Sequence, residues 1–190
     1  MKLCVRSLLP AVGMIALAVS DVTAQDAAPS KPAAAFKFAE VEYFHRFSKD
    51  DLHEYTPDKQ EDLKAYRDMV VVNGYPAVKD GDALAEVANK VLGNYEAAKG
   101  IIARTNSVPR TEEKPAEHFM AVIFARPELF EAAFARFRIQ DGVGMSVVYS
   151  HRTYGAEASS EMRAWLEKNA PATEAALMKW DVPKLPTAKD

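Results

Sequence analysis

Four histidines are the residues in this sequence whose chemistry would be easiest to recognise: His45, His53, His118 and His151. None has a local metal-ligand spacing such as H-x-x-x-H, so a zinc site would need strands to bring them together. His45 and His53 stand on the two arms of one predicted hairpin, where they could approach each other. Ser150 precedes His151, but a catalytic serine needs an exposed elbow and no G-x-S-x-G motif occurs. The sequence therefore predicts structural or surface histidines, with no catalytic residue, metal ligand or cofactor.

Arginine is concentrated in the second half of the chain. Residues 101–155 contain six arginines and one lysine, whereas residues 36–100 contain two arginines, seven lysines and thirteen acids. Arginine recognises carboxylate or phosphate through planar, bidentate contacts. We therefore predict a binding face for an acidic protein or envelope component, formed by Phe134, Arg136, Arg138, Tyr149, His151 and Arg152. The alternative is that these arginines pair with the chain's own acids, for instance Glu40, Glu42 and Glu54.

Three consecutive antiparallel strands would position this face. Residues 117–125 are almost wholly apolar, which predicts a central strand covered on both sides. Residues 130–140 and 145–154 would follow, joined by a turn at residues 141–144 whose glycines suit a positive φ. A period of two places Phe134, Arg136 and Arg138 on one side, and the hairpin register adds Met145, Val147, Tyr149 and His151 to it. A helix over residues 128–138 is the competing interpretation, because Phe130, Phe134 and Phe137 also fit a 3.6-residue period.

The remaining elements are predicted from their caps and periodicity. We expect a β-hairpin over residues 38–56, a helix that begins at Thr56-Pro57-Asp58 and ends at residues 73–76, and a second helix from residue 80 to a C-terminal cap at Gly100. A strand over residues 101–106 and an accessible loop over residues 107–115 follow. A last helix begins at residues 158–160 and is broken at Asn169-Ala170-Pro171, with a second segment up to Trp180.

The predicted order is ββ-αα-β-βββ-α. It indicates an α+β domain in which helices pack on an antiparallel sheet of about six strands. In element order this loosely resembles the Mog1/PsbP-like α/β/α sandwich, a fold of small extracytoplasmic proteins. The resemblance includes no signature residues, so it implies no site.

The N-terminus reads as a secretory signal peptide. Lys2 and Arg6 precede an apolar run over residues 8–19, and Val22-Thr23-Ala24 is an A-x-A-like cleavage site. The apolar run is too short and interrupted for a permanent membrane anchor. We therefore expect a signal peptide over residues 1–24, a disordered spacer over 25–35, one domain over 36–180 and a flexible tail over 181–190, in a periplasmic or secreted protein.

Charge and cysteine content exclude further classes of function. The chain has 24 basic and 27 acidic residues, and removing Lys2, Arg6 and Asp21 with the signal leaves 22 and 26, a formal charge of −4. A nucleic-acid partner would need a basic footprint. Because Cys4 is the only cysteine, the mature chain would have no disulfide and no cysteine ligand.

These observations favour an exported, non-enzymatic binding protein, such as an inhibitor or immunity-type protein, that uses the arginine and aromatic face. One alternative is a small periplasmic hydrolase or metal-dependent enzyme that uses His118 or His151 with nearby carboxylates. Another is a carrier of apolar ligands, with Phe134, Met145, Val147 and Tyr149 lining its pocket.

Overall fold

The computed structural model describes residues 33–183, in which eight strands form one antiparallel sheet and two helices pack on it. The predicted signal peptide, most of the predicted spacer and residues 184–190 lie outside the described residues. The strands are β1 Phe36–Phe38, β2 Val41–Lys49, β3 Leu52–Pro57, β4 Asp68–Tyr75, β5 Ile101–Val108, β6 Glu117–Ala125, β7 Leu129–Gln140 and β8 Val143–Tyr154. The helices are α1 Gly81–Ala97 and α2 Ala158–Lys179, and the strand order across the sheet is β1-β2-β3-β4-β8-β7-β6-β5.

The predicted three-strand meander is confirmed as β6, β7 and β8. Its register pairs Phe134 with Tyr149 and Arg136 with Val147, so the predicted division of side chains between the two faces is correct. The connection between β7 and β8 is shorter than expected, because only Asp141 and Gly142 lie between the strands, with φ of 52° and 74°. Two consecutive positive φ values are those of the tight hairpin turn that matches the strand twist.

The helix predicted to begin at residues 56–58 is wrong. Its first residues end β3, and residues 68–75 form β4, which lies in the middle of the sheet between β3 and β8. Val70, Val71 and Val72 favour this strand because β-branched side chains fit a pleated sheet better than a helix. The side-chain carbonyl of Gln60 accepts hydrogen bonds from the backbone N–H groups of Arg67 and Asp68, which holds the loop before the strand.

The start of the predicted hairpin over residues 38–56 also differs, because a turn separates two strands there. Ala39 and Glu40 have φ of 46° and 65° and form a tight turn between β1 and β2. Together, this turn and strand β4 raise the number of strands in residues 33–183 from about six, as predicted, to eight. The observed order of elements is ββββ-α-ββββ-α. The element order that suggested a Mog1/PsbP-like fold is therefore not the observed one, although the α+β class and the antiparallel sheet are.

The two helices cover opposite faces of the sheet. Helix α1 contacts β6 and β7, where Leu84 and Ala88 pack with Met120, Ala135 and Phe137. Its N-cap is Asp80, whose carboxylate accepts a hydrogen bond from the Ala83 N–H at 2.9 Å.

The end of α1 differs from the predicted glycine cap. Lys99, with φ of 62°, takes the left-handed position. Gly100 is needed for a different reason, since a Cβ there would lie 2.6 Å from Val122 Cγ1.

Helix α2 lies on the other face, against β7 and β8, and is continuous where a break was predicted. Pro171 lies inside it. Because proline has no N–H, the carbonyl of Glu167 loses its usual helical donor there. The first residues of the predicted flexible tail are also part of the fold, since Val182 is buried and its carbonyl accepts a hydrogen bond from Gln140 Nε2 at 2.8 Å. No helix within residues 33–183 is long and apolar enough to cross a membrane.

Candidate functional site

All residues of the predicted arginine face except Arg152 lie on one side of the sheet, but this side is covered by α2 and the residues that follow it. Arg136 is only 5% exposed. Its guanidinium contacts Glu117 Oε2 at 2.7 Å and donates to the carbonyls of Leu177 and Trp180 at 2.9 and 2.8 Å. Burial lowers the pKa of Arg136, while the Glu117 carboxylate acts in the opposite direction. The expectation of an accessible Arg136 is therefore wrong.

The other two arginines of the predicted face are also paired inside the molecule. Arg138 lies 3.9 Å from Glu117 Oε1 and 3.5 Å from Asp181 Oδ1. Arg152 points to the opposite side of the sheet, where it pairs with Glu131 at 2.9 Å and stacks 3.9 Å from the Tyr66 ring centroid. The alternative of internal pairing is correct in kind, but the acids are not the ones expected, because the strands bring these acids closer than Glu40, Glu42 or Glu54.

Tyr149 and His151 form a buried cluster with Asp68. The Tyr149 hydroxyl donates to Asp68 Oδ1 at 2.7 Å, and His151 Nδ1 lies 2.9 Å from the same oxygen. Burial by itself would raise the pKa of Asp68, but the bonds from His151 and Tyr149 outweigh it and the pKa is lowered. The His151 ring stacks on Trp165 with centroids 4.1 Å apart. This cluster fixes α2 to the sheet and is not an open site.

The remaining histidines make hydrogen bonds to serines. The hydroxyl of Ser48 lies 2.7 Å from both His45 Nε2 and His53 Nδ1, so the two hairpin histidines do approach each other. His118 Nδ1 lies 3.0 Å from the Ser107 hydroxyl, and burial lowers the pKa of His118. Across residues 33–183 no three His, Cys, Asp or Glu side chains come together as a metal site would require.

An apolar pocket of about 330 Å³ opens between the middle of α2 and strands β5, β6 and β7, on the α2 face of the sheet. All but two of its lining residues are apolar: Ala103, Ala121, Val122, Ile123, Ala132, Phe134, Leu166, Ala170 and Pro171. Among the residues predicted to line an apolar pocket, Phe134 does so. Val147 and Tyr149 are instead packed in the core with α2.

Small side chains account for this space. Ala121 on β6 lies opposite Phe134, and Ala132 on β7 lies opposite Ile123, so the two alanines are diagonal neighbours, and Ala170 lines the same pocket from α2. Helix α2 packs mainly on β7 and β8 and reaches the edge strand β5 through Glu174 and Arg104. A larger residue at any of the three alanines would fill the gap.

Two charged residues stand at the mouth of the pocket. Arg104 Nε lies 3.2 Å from Glu174 Oε1, which joins β5 to α2 across the opening. The Arg104 side chain is 59% exposed and that of Glu174 is 22% exposed. Ile101, which is 61% exposed, pairs with Ile123 beside the opening and extends the apolar surface outward.

A second depression, of about 510 Å³, lies at the N-terminus of α1 and is wider and more open. The predicted loop over residues 107–115 forms one wall. Its lining includes Lys79, Arg110 and Lys114 together with Asp80, Asp82, Glu112 and Glu113. Because charges of both signs are mixed there, its electrostatics select no class of ligand.

The pocket mouth does not follow from the predicted binding face, which includes neither Arg104 nor the small residues Ala121 and Ala132. A signal was present in the alternation itself, since the α2 face of β6 and β7 carries alanine where neighbouring positions carry phenylalanine. The helix break predicted at Pro171 is wrong, and the continuous helix α2 spans the gap.

The comparisons with known proteins assign no family. No protein-family model matches the chain, and no curated protein sequence matches it. Among solved structures, the chain is similar to the crystal structure of human STARD10, with a TM-score of 0.32 and 5% sequence identity, over 73% of this chain and 74% of that one. A likeness at this level assigns no function.

Proposed function

We propose that this protein is a non-enzymatic binder of a small apolar molecule, held in the pocket between α2 and strands β5 to β7. The observation that carries the proposal is a solvent-open gap of about 330 Å³ with nine apolar lining residues. Ligand pockets are typically concave and mostly apolar, with a few placed polar groups, and start at roughly 300 Å³. Protein interiors otherwise leave few voids larger than a water molecule.

The size of the pocket limits the ligand. A water molecule has a share of ~30 Å³ in the liquid, and a methylene group is of similar size. A pocket of about 330 Å³ therefore holds roughly ten such groups, which fits one medium-length acyl chain or a compact ring system. Burying such a chain is favourable by ~0.8 kcal/mol for each methylene group before the entropy of binding is subtracted.

The other hypotheses lack a comparable site. Arg136, at the centre of the predicted acidic-partner face, pairs with Glu117 and binds the end of α2, so offering it to a partner would require breaking a buried ion pair. We retain export as part of the proposal: a signal peptide over residues 1–24 would place the binder in the periplasm or outside the cell.

The test uses the neutral fluorophore N-phenyl-1-naphthylamine, which brightens in apolar surroundings. The full chain should give a saturable signal that fits one site. Ala170→Leu places extra methyl groups in the pocket and should weaken binding at least tenfold. Organic extraction of freshly purified protein, followed by mass spectrometry, identifies any ligand acquired during expression.

Ala164→Leu is the matched control, because Ala164 lies on α2, is exposed and does not line the pocket. Its affinity for the fluorophore should equal that of the unmodified protein. The proposal fails if the unmodified protein shows no saturable binding, or if Ala170→Leu binds the fluorophore as tightly as Ala164→Leu.

A further inference from the structure

The two charged residues of the pocket, Arg104 and Glu174, both lie at its mouth, and this position indicates which end of a ligand they would contact. The interior wall is formed by alanine, valine, isoleucine, phenylalanine and leucine, whereas Arg104 and Glu174 stand at the opening. A ligand that placed a polar group inside would leave it without a hydrogen-bond partner. A ligand with an apolar tail and a polar head matches this arrangement when the tail enters and the head stays at the mouth.

We propose that the pocket selects an anionic amphiphile, such as a medium-chain carboxylic acid, whose head group binds Arg104 at the mouth. This rests on the proposed function and adds the charge of the ligand to it. Three other arginines in the second half of the chain, Arg136, Arg138 and Arg152, already pair with acids. Their side chains are 6%, 17% and 19% exposed. Arg104 stands out from them by its 59% exposure.

Arg104 can accommodate a second carboxylate beside Glu174. A guanidinium group carries five N–H donors in a planar fork, and the contact with Glu174 is made through Nε at 3.2 Å. The fork arrangement permits bidentate binding of a carboxylate. Because Arg104 follows a bulge in β5, between Ile102 and Arg104, its side chain is directed to the α2 face opposite Ala121.

Glu174 has the opposite effect on such a ligand. Its carboxylate partly neutralises Arg104 and repels a second anion at the mouth. Glu174 therefore tunes the affinity for an anionic head group downward, and removing its charge should strengthen binding. The same pair predicts that a cationic head group binds less well, because Glu174 is already occupied by Arg104.

The experiment compares three ligands with the same tail: dodecanoate and dodecyltrimethylammonium, each below its critical micelle concentration, and dodecanol, below its solubility limit. Each displaces N-phenyl-1-naphthylamine from the full chain. Dodecanoate should bind about three- to tenfold more tightly than dodecanol, the range expected for a partly exposed charged contact. Dodecyltrimethylammonium should bind no better than dodecanol.

Two pocket variants and one control test the role of the mouth. Arg104→Gln should reduce the ratio of dodecanoate to dodecanol affinity to about one, whereas Glu174→Gln should raise that ratio. Arg126→Gln changes an exposed arginine outside the pocket and should leave the ratio as it is.

The outcomes separate this inference from the function on which it rests. If dodecanol displaces the fluorophore as well as dodecanoate does, the pocket binds apolar tails but the anionic selection is wrong. A ratio that survives Arg104→Gln, or a preference for the ammonium compound, also overturns it. If none of the three compounds displaces the fluorophore, the proposed apolar pocket itself is wrong.

Discussion

The α2 face of the sheet has two halves that are built differently. Over β7, β8 and β4, the helix is fixed by aromatic packing, by the Asp68 cluster and by Arg136, which binds the end of the helix through two carbonyls. Beside β5, β6 and the part of β7 around Ala132, the same helix faces alanines and leaves an open pocket. We call these two parts the closed half and the open half. One helix therefore closes the core at one side and forms the wall of a cavity at the other.

The difference shows how a rigid pocket can be formed beside a well-packed core. A helix that was held only along the gap would fall onto the alanines and fill the space. Here the hydrogen bonds from Arg136 to the carbonyls of Leu177 and Trp180, and the stack of Trp165 on His151, hold α2 in position on the sheet. The contacts of the closed half therefore prevent α2 from collapsing onto the pocket of the open half.

The largest effect is expected from removing the anchor of the closed half. Arg136→Ala leaves the carboxylate of Glu117 and the carbonyls of Leu177 and Trp180 without their donor. Breaking one side of a buried ion pair typically destabilises a protein by about 3–5 kcal/mol. The free energy of unfolding, measured by urea denaturation, should fall by about this amount.

Arg126→Ala is the control for charge and size. Arg126 is exposed and lies 5.5 Å from the Phe124 ring centroid, so its loss should change stability by less than ~1 kcal/mol. Equal losses in the two variants would show that Arg136 is not an anchor.

A pair of alanines on α2 compares the two halves directly. Both Ala176 and Ala170 pack against the same core cluster, but Ala170 also lines the pocket and Ala176 does not. Alanine and leucine have similar helix propensity, so the surroundings decide the effect. Ala176→Leu should destabilise by about 1–3 kcal/mol through overpacking, and Ala170→Leu by less than ~1 kcal/mol. If Ala170→Leu is as harmful as Ala176→Leu, the pocket has no room to fill.

A smaller effect is expected from the pH dependence of the closed half. The pKa of Asp68 is lower in the folded protein than its ordinary value near 3.8, because the bonds from His151 and Tyr149 outweigh its burial. The carboxylate therefore stabilises the fold above about pH 4, and this contribution is lost as the pH falls below that value. The free energy of unfolding should decrease more steeply from pH 4 to pH 2 in the unmodified protein than in Asp68→Asn.

Asp50→Asn, in an exposed turn, serves as the comparison for that titration. Its pH profile should follow the unmodified protein. If the free energy of unfolding of Asp68→Asn falls as steeply between pH 4 and pH 2 as that of the unmodified protein and of Asp50→Asn, then Asp68 does not stabilise the closed half.

Alternation along the strands made the meander predictable. Residues 117–125 are apolar at both parities and the turn at Asp141-Gly142 is specific, so β6, β7, β8 and their facing sides followed from the sequence. Strand β4 did not follow, because Thr56, Pro57 and Asp58 also form a strong helix start. Tertiary pairing with β3 and β8 overrides that local signal for residues 68–75.

Which groups the arginines pair with depends on contacts between residues far apart in the sequence, and the periodicity of the sequence does not predict such contacts. Glu117 and Trp180 are 19 and 44 residues from Arg136, and the sheet and α2 bring them together. The pocket arises in the same way, because Ala121, Ala132 and Ala170 meet only when α2 crosses the sheet beside them. The cavity therefore depends on where α2 lies on the sheet, and the local pattern of residues does not give that position.

The most direct test of the open half is an NMR titration with dodecanoate of protein carrying ¹³C-labelled alanine methyl groups. The account predicts that the methyl signals of Ala121, Ala132 and Ala170 shift together and saturate, while those of Ala133 and Ala135, on the opposite face of the sheet, stay in place. Saturable shifts confined to Ala133 and Ala135, or no saturable shift at any alanine, would contradict it.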